Sequence, residues 1–227
     1  MLDIVVIGGG AGLYPILSGL RDLCRSLTAV ISGLPPGDDA SVSLAAMAPP
    51  IEENAILRGL LAHRMESRGW RGAHFTAGLL LALEETQGSR QAALDAAGDL
   101  LRIRGRVAIA LDGDRSRGIS RRSAADAIAC ADLVVIAPGN LERDVMPVIC
   151  CPGIIPALRR TTAIKVLVTA IQARESAEAT APPQILALTA LTDCRFDAVL
   201  GDRPEGLADA LLEIAAASLG RRAEQAS

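Results

Sequence analysis

The chain has 227 residues, of which 50% are hydrophobic, so it can bury a substantial core, and we expect one domain over residues 1–219 with a flexible tail over 220–227. Its formal charge of −3 argues against binding to a nucleic-acid backbone. Aromatic residues make up only 2% of the chain, which favours a helix-rich α/β fold over an aromatic-rich β-barrel.

The predicted elements alternate between short apolar runs and stretches of helical periodicity. The apolar runs predict buried strands at Ile4–Ile7, Leu27–Ile31, Val107–Leu111, Leu133–Ile136 and Ile164–Val168, with an edge strand at Ala198–Leu200. Helical spacing predicts a helix that begins near Leu13 and further helices at Glu53–Ser67, Thr76–Thr86, Arg90–Leu101, Ser123–Cys130, Ile154–Arg160 and Leu207–Leu219. Loops are predicted over Ser32–Ser41 and Glu175–Pro183. This alternation predicts a doubly wound, mainly parallel α/β sheet with helices on both faces.

The beginning of the chain and its cysteines predict the compartment. No basic region, long apolar stretch or small-residue cleavage site precedes the first strand. The five cysteines are odd in number and include no C-x-x-C pair, which is typical of reduced thiols. We therefore expect a cytoplasmic protein that is neither exported nor inserted into a membrane.

The turn after the first strand is made almost entirely of glycine, at Gly8, Gly9, Gly10 and Gly12. In a parallel sheet, such a turn presents backbone N–H groups and a helix N-terminus to anions at the carboxyl ends of the strands. It predicts a phosphate-type ligand, with a tight turn that binds nothing as the alternative. A dinucleotide fingerprint would need glycine where Leu13 or Pro15 stands, so a nicotinamide or flavin cofactor is disfavoured.

Two carboxylates follow the second predicted strand in the motif PPGDD. Asp38 and Asp39 would bind Mg²⁺ or accept a proton from an attacking hydroxyl, whereas a solvated turn that Asp38 caps is equally consistent with the motif. A second glycine turn follows the fourth strand, at Pro138, Gly139 and Asn140. The side chain of Asn140 would either cap the next helix or contact a ligand.

The order of these motifs resembles one known family. The segments VVIGGGAGL, PPGD, GAHFTAGLLLALEETQG, RIRGRV, ADLVVIAPGNL and CPGIIPALRRTTAIKVLVT are similar, over residues 4–170, to the 2-phospho-L-lactate transferase and gluconeogenesis-factor family (CofD/YvcK-like). The resemblance implies a doubly wound core with a ligand cleft over the strand ends. One branch transfers a phospholactyl group from a guanosine diphosphate-type donor with Mg²⁺. The other binds a uridine diphosphate sugar and regulates carbon metabolism and cell-wall synthesis.

The resemblance also assigns individual residues. The glycine turn resembles the family's GGGTGL phosphate loop, His74 resembles the histidine of GHSLGNLLL, and Pro138, Gly139 and Leu141 match GPGSLYTS. A lone histidine before an apolar helix is, on its own, more often structural than catalytic. The family's acidic motif DDGGSSG is missing or merged with PPGD, so Asp38 and Asp39 align with either.

Several polar positions of the family pattern are changed. Asn140 replaces the first serine of GPGSLYTS, Gly78 replaces the asparagine of GNLLL, and Glu142, Arg143 and Asp144 stand where the family has tyrosine, threonine and serine. Two acids near a diphosphate would repel it unless Mg²⁺ or Arg143 intervenes.

Three functions stay open from the sequence. In the first, the glycine turn and Pro138, Gly139 and Asn140 bind a nucleotide-type diphosphate, such as a nucleotide sugar, and catalysis is weakened or lost. In the second, the protein is an active transferase in which Asp38 or Asp39 holds Mg²⁺ or activates an acceptor hydroxyl, and His74 shapes the cleft. In the third, it is a ligand-free subunit of a homo-oligomer whose apolar helices pair with another chain.

Overall fold

A six-stranded parallel sheet lies at the centre of the computed structural model, which describes residues 1–33, 38–49, 59–60, 63–69, 71–110, 123–169, 183–201 and 206–225. The strands are β1 (Asp3–Ile7), β2 (Ser26–Ile31), β3 (Arg106–Ile109), β4 (Leu133–Ile136), β5 (Ile164–Thr169) and β6 (Ala198–Gly201). Their order in the sheet is β3-β2-β1-β4-β5-β6, and every neighbouring pair is parallel. The strand predictions are confirmed, with ends that shift by one or two residues.

Helices connect the strands. They are α1 (Leu13–Leu20), α2 (Asp38–Met47), α3 (Phe75–Gln87), α4 (Arg90–Leu101), α5 (Ala124–Ala129), α6 (Met146–Ile149), α7 (Ile154–Arg160), α8 (Pro183–Thr192) and α9 (Leu207–Gln225). A 3₁₀ turn at Gly10–Gly12 leads into α1, and a π-helical turn at Leu141–Val145 leads into α6. In the described part of the chain, no helix combines the length and the apolar character that crossing a membrane requires.

The alternating side chains of the strands explain why helices cover both faces of the sheet. In β1, Ile4 and Val6 are buried in the layer that contains α1, α2, α3, α4 and α9. The neighbouring side chains of Val5 and Ile7 are buried in the opposite layer, with α5, α6, α7 and α8. A strand buried on both faces needs a continuous apolar run, which is what the sequence shows. The prediction of a doubly wound α/β sheet is therefore confirmed.

Of the predicted helix over Glu53–Ser67, residues 53–58 and 61–62 lie outside the described residues, residues 59–60 are helical, and the prediction is wrong from residue 63 onwards. Residues 63–69 belong to a hairpin-like segment in which Arg64 forms an antiparallel bridge with His74. The N–H of Met65 donates to the carbonyl oxygen of Ala73, and the N–H of Gly72 donates to that of Met65, both at 2.8 Å. Glycine allows this because it adopts the positive φ of 84° that Gly72 has at the end of the turn.

Three other features differ from the predictions. The loop predicted over Ser32–Ser41 ends earlier, because α2 already begins at Asp38. A helix that the sequence analysis did not predict begins at Pro183, which is consistent with the preference of proline for the first turn. Helix α9 continues to Gln225, beyond the predicted end at Leu219.

Candidate functional site

The strand order brings the two glycine turns together. β1 and β4 are neighbours, and the chain leaves β1 towards one face of the sheet and β4 towards the other. In doubly wound sheets, such a reversal opens a crevice at the carboxyl ends of the two strands, where ligands bind. The turn Gly8–Gly12 follows β1, and the turn formed by Pro138, Gly139 and Asn140 follows β4, so both turns border this position.

The two turns pack directly against each other at Gly12. A Cβ atom on Gly12 would lie 1.8 Å from the carbonyl oxygen of Pro138. A Cβ atom on Gly8 would lie 3.1 Å from the Cβ of Ala137, and the N–H of Ala137 donates to the carbonyl oxygen of Ile7 at 2.9 Å. Glycine at position 12 is therefore explained by the close approach of the protein's own backbone.

Gly9 and Gly10 contact carboxylates of the same chain. The N–H of Gly10 donates to Oδ1 of Asp39 at 2.7 Å, and a Cβ atom on Gly9 would lie 2.9 Å from Oδ2 of that residue. Gly10 has a φ of +67°, which favours glycine irrespective of space. Asp39 lies in the first turn of α2, which begins at Asp38 and directs the Asp39 carboxylate to the glycine turn. The side chain of Asp38 lies outside the described residues, as do Pro35, Pro36 and Gly37.

A second carboxylate, that of Asp144, reaches the crevice from the π-helical turn. Its Oδ2 accepts the N–H of Asn140 at 2.8 Å. A Cβ atom on Gly139 would lie 2.9 Å from Oδ2 of Asp144, and one on Gly10 would lie 3.3 Å from the same oxygen. Asp144 is buried, with 8% of its surface exposed. The crevice is thus lined by two carboxylates, each bonded to a backbone N–H of a different turn.

In the sequence, Asp144 stands out only as a departure from the family pattern, and no local pattern there assigns it to the site. The available signal was the capping box, in which an acidic residue three positions after the helix cap bonds back to the cap's N–H. Asn140 is the cap here, because its Oδ1 accepts the N–H of Arg143 at 2.9 Å. The acid lies one position later than in a capping box because the turn is π-helical.

Arg143 partly compensates the two negative charges. Its Nε donates to Oδ1 of Asp144 at 2.8 Å, and its Nη2 donates to Oδ2 at 3.3 Å. Burial alone would raise the pKa of Asp144, but the hydrogen bonds from Arg143 and from the N–H of Asn140 outweigh it and hold that pKa below its usual value. The pKa of Arg143 is raised, mainly by its hydrogen bond to Asp144 and also by the charge of Asp39. The three side chains together carry one net negative charge.

His74 lies at the start of α3. It is the cap residue of α3 and forms the bridge with Arg64. Two residues later, the hydroxyl of Thr76 hydrogen-bonds that of Ser41 and so joins α3 to α2. The nearest atoms around Gly9 and Gly10 belong to Asp39 and Asp144 rather than to His74. The role of His74 in shaping a cleft stays a prediction.

A divalent cation that arrives together with an anionic ligand is compatible with this crevice. Among the described residues, no group of three or more His, Cys, Asp or Glu side chains is arranged to hold a metal ion. Asp39 and Asp144 supply two carboxylates, and Mg²⁺ in proteins is commonly held by one or two carboxylates together with phosphates of the substrate. The donor set therefore fits Mg²⁺ that arrives with a diphosphate.

The described part of the chain also forms a cavity of about 800 Å³ at the opposite ends of the strands, by the amino ends of β1, β2 and β3. Its lining includes Arg25 and Arg104. Arg25 forms an ion pair with Asp3, and Arg104 forms one with Asp22. Arg21 and Arg106 also line the cavity; Arg21 pairs with Asp22 and Arg106 with Asp95, so each of these four arginines has an acidic partner in the chain.

Known proteins resemble this chain along most of its length. The family model described as 2-phospho-L-lactate transferase CofD matches residues 4–114 and 114–217. A relative from Mycobacterium leprae is 31% identical over 73% of this chain, and the chain spans 62% of that relative. The gluconeogenesis factor of Halalkalibacterium halodurans is 28% identical, with coverage of 73% of this chain and 66% of the relative.

Solved structures agree with these matches. The crystal structure of a UPF0052 family protein from Bacillus halodurans superposes with a TM-score of 0.62 at 26% identity, with coverage of 73% of this chain and 68% of the other. The matched segments include both glycine turns and all six strands of the sheet. This chain therefore belongs to the CofD/YvcK-like family.

Proposed function

We propose that this protein binds a nucleotide-type diphosphate, such as a nucleotide sugar, in the crevice between its two glycine turns. One observation supports this most strongly: the N–H groups of Gly10 and Asn140, one from each turn, both bind an anionic oxygen, at 2.7 and 2.8 Å. Those oxygens belong to Asp39 and Asp144, so each turn presents a backbone N–H group to an anionic oxygen, as glycine turns do to phosphate.

The charge of the crevice makes binding depend on a divalent cation. Asp39, Asp144 and Arg143 leave one negative charge beside a ligand that is itself an anion, and these charges repel each other. Mg²⁺ would neutralise the diphosphate and allow it to approach Asp39. We therefore expect binding to be strong with Mg²⁺ and weak when the cation is chelated.

A second candidate is an active phospholactyl-type transferase. The observation in its favour is the position of Asp39, whose carboxylate lies at the turn and is only partly buried, where it would accept a proton from an acceptor hydroxyl. Of the other residues predicted for catalysis, Asp38 begins α2 next to Asp39, and His74 caps α3. If the double variant Asp38→Asn/Asp39→Asn formed product at the same rate as the wild type, these assignments would be rejected.

Calorimetry with UDP, GDP and a uridine diphosphate sugar, each with Mg²⁺ and with a chelator, tests the binding proposal. Gly10→Ala and Gly88→Ala form a matched pair, because both glycines have a positive φ, of 67° and 78°. They differ in surroundings, since Gly88 lies at the end of α3 with nothing within 4 Å of its Cβ position.

Alanine at either position introduces backbone strain of roughly 1–2 kcal/mol, so Gly88→Ala controls for the effect of that strain. We expect Gly10→Ala alone to weaken binding, by tenfold or more, because its Cβ would press on Asp144 at 3.3 Å. If the wild type bound none of these compounds with Mg²⁺, the proposal would be rejected, and a ligand-free subunit would be favoured instead.

A further inference from the structure

Arg143 lies beside the Asp144 carboxylate and has N–H donors to spare. A guanidinium has five N–H donors, and the hydrogen bonds to Asp144 use Nε and Nη2. The side chain is 79% exposed, so most of the guanidinium faces solvent. The group is therefore held by one carboxylate and remains open to a second anion.

Asp144 fixes where this guanidinium lies. Asp144 is buried, and its carboxylate is bonded to the N–H of Asn140 and packed beside Gly10 and Gly139. A guanidinium bound to both oxygens of a fixed carboxylate has little freedom to turn. Arg143 is thus oriented by the same turn that forms one side of the crevice.

We propose that Arg143 contacts the phosphoryl groups of the bound ligand directly and makes the crevice selective for diphosphates over monophosphates. The inference rests on the proposed function and adds the residue that sets its selectivity. A planar guanidinium binds phosphoryl oxygens with two parallel hydrogen bonds, which a single point charge cannot do. A diphosphate has a second phosphoryl group that this guanidinium can bind, whereas a monophosphate has only one.

The competing explanation is that Arg143 only neutralises Asp144. The double variant Arg143→Ala/Asp144→Asn separates the two, because it removes one positive and one negative charge and leaves the net charge of the crevice as it is in the wild type. The asparagine oxygen still accepts the N–H of Asn140, so the turn keeps its hydrogen bond. No charged group is left buried without its partner, which protects the fold.

The experiment measures Kd for UDP and UMP, or for GDP and GMP if the wild type prefers guanosine nucleotides, at several salt concentrations with Mg²⁺. Arg160→Ala is the control, because Arg160 is an exposed arginine in the last turn of α7. Circular dichroism and thermal unfolding check that each variant is folded.

For the diphosphate, we expect Kd of the double variant to rise roughly ten- to hundredfold, the effect of losing a hydrogen bond between charged groups. The Kd for the monophosphate should change little, and the salt dependence of diphosphate binding should become shallower. Arg143→Lys should weaken diphosphate binding less than the double variant does. Arg160→Ala should bind both nucleotides with the Kd of the wild type.

If the double variant bound the diphosphate as tightly as the wild type does, this inference would be overturned and the proposed function would stay intact. If the double variant lost the same factor of affinity for the monophosphate as for the diphosphate, the inference would also be overturned, because such a loss points to a change in the shape of the turn. A wild type that binds no nucleotide would instead reject the proposed function itself.

Discussion

Replacing Gly12 by alanine tests how tightly the two glycine turns pack. The φ of Gly12 is −64°, so alanine brings no backbone strain. Its Cβ would, however, lie 1.8 Å from the carbonyl oxygen of Pro138. A carbon and an oxygen in contact are about 3.3 Å apart, so the turns would have to separate by the difference, about 1.5 Å.

Overpacking of this kind costs about 1–3 kcal/mol, and we expect the upper end because the obstacle is backbone and has no rotamer to change. For a chain of this size, each kcal/mol lowers Tm by roughly 2–4 °C, which gives an expected decrease of about 6–12 °C. Thermal unfolding followed by circular dichroism measures it.

The control for this prediction is Gly220→Ala. Gly220 lies inside α9 with nothing within 4 Å of its Cβ position, and alanine in a helix is better than glycine by roughly 0.5–1 kcal/mol. Tm of the control should therefore rise slightly. A Tm of Gly12→Ala within about 1 °C of the wild type would refute the direct packing of Gly12 on Pro138.

Two further predictions concern stability. Because the pKa of Asp144 is lowered in the folded state, its charge stabilises the fold above the usual pKa of a carboxyl, and this contribution is lost as the pH falls through the folded value. Urea titrations should show that the free energy of unfolding of the wild type, relative to Asp144→Asn, is constant above about pH 5 and decreases below it, whereas an increase on acidification would contradict the hydrogen-bonded pair. Ser123→Ala removes the oxygen that accepts the N–H of Asp126 at the start of α5 and should cost about 1 kcal/mol in urea unfolding, so an unchanged midpoint would argue against this cap.

Local signals in the sequence predict the elements of the fold well. The apolar run at Ile4–Ile7 needs burial on both faces, and only a central strand of a parallel sheet provides it. Asn140 was predicted as either a cap or a ligand contact, and its side chain caps the π-helical turn. The predicted helix through Ser67 fails because periodicity alone does not show the positive φ that Gly69 and Gly72 adopt.

The site depends on contacts between distant parts of the chain, which local patterns do not contain. Glycine at position 12 indicated a ligand, yet the atom that requires it is the carbonyl oxygen of Pro138. The sequence could not decide between Asp38 and Asp39, because the direction of each side chain depends on where α2 begins. Asp144 escaped the analysis because its partner Gly10 is far away in the chain and the π-helical turn shifts its spacing.

The most direct test is a crystal structure of the protein soaked with UDP or GDP and Mg²⁺. The account predicts density for the diphosphate between Gly10 and Asn140, with the cation beside Asp39 and the guanidinium of Arg143 against a phosphoryl group. A nucleotide that is absent from this crevice, or bound in the cavity at the amino ends of the strands, would contradict it.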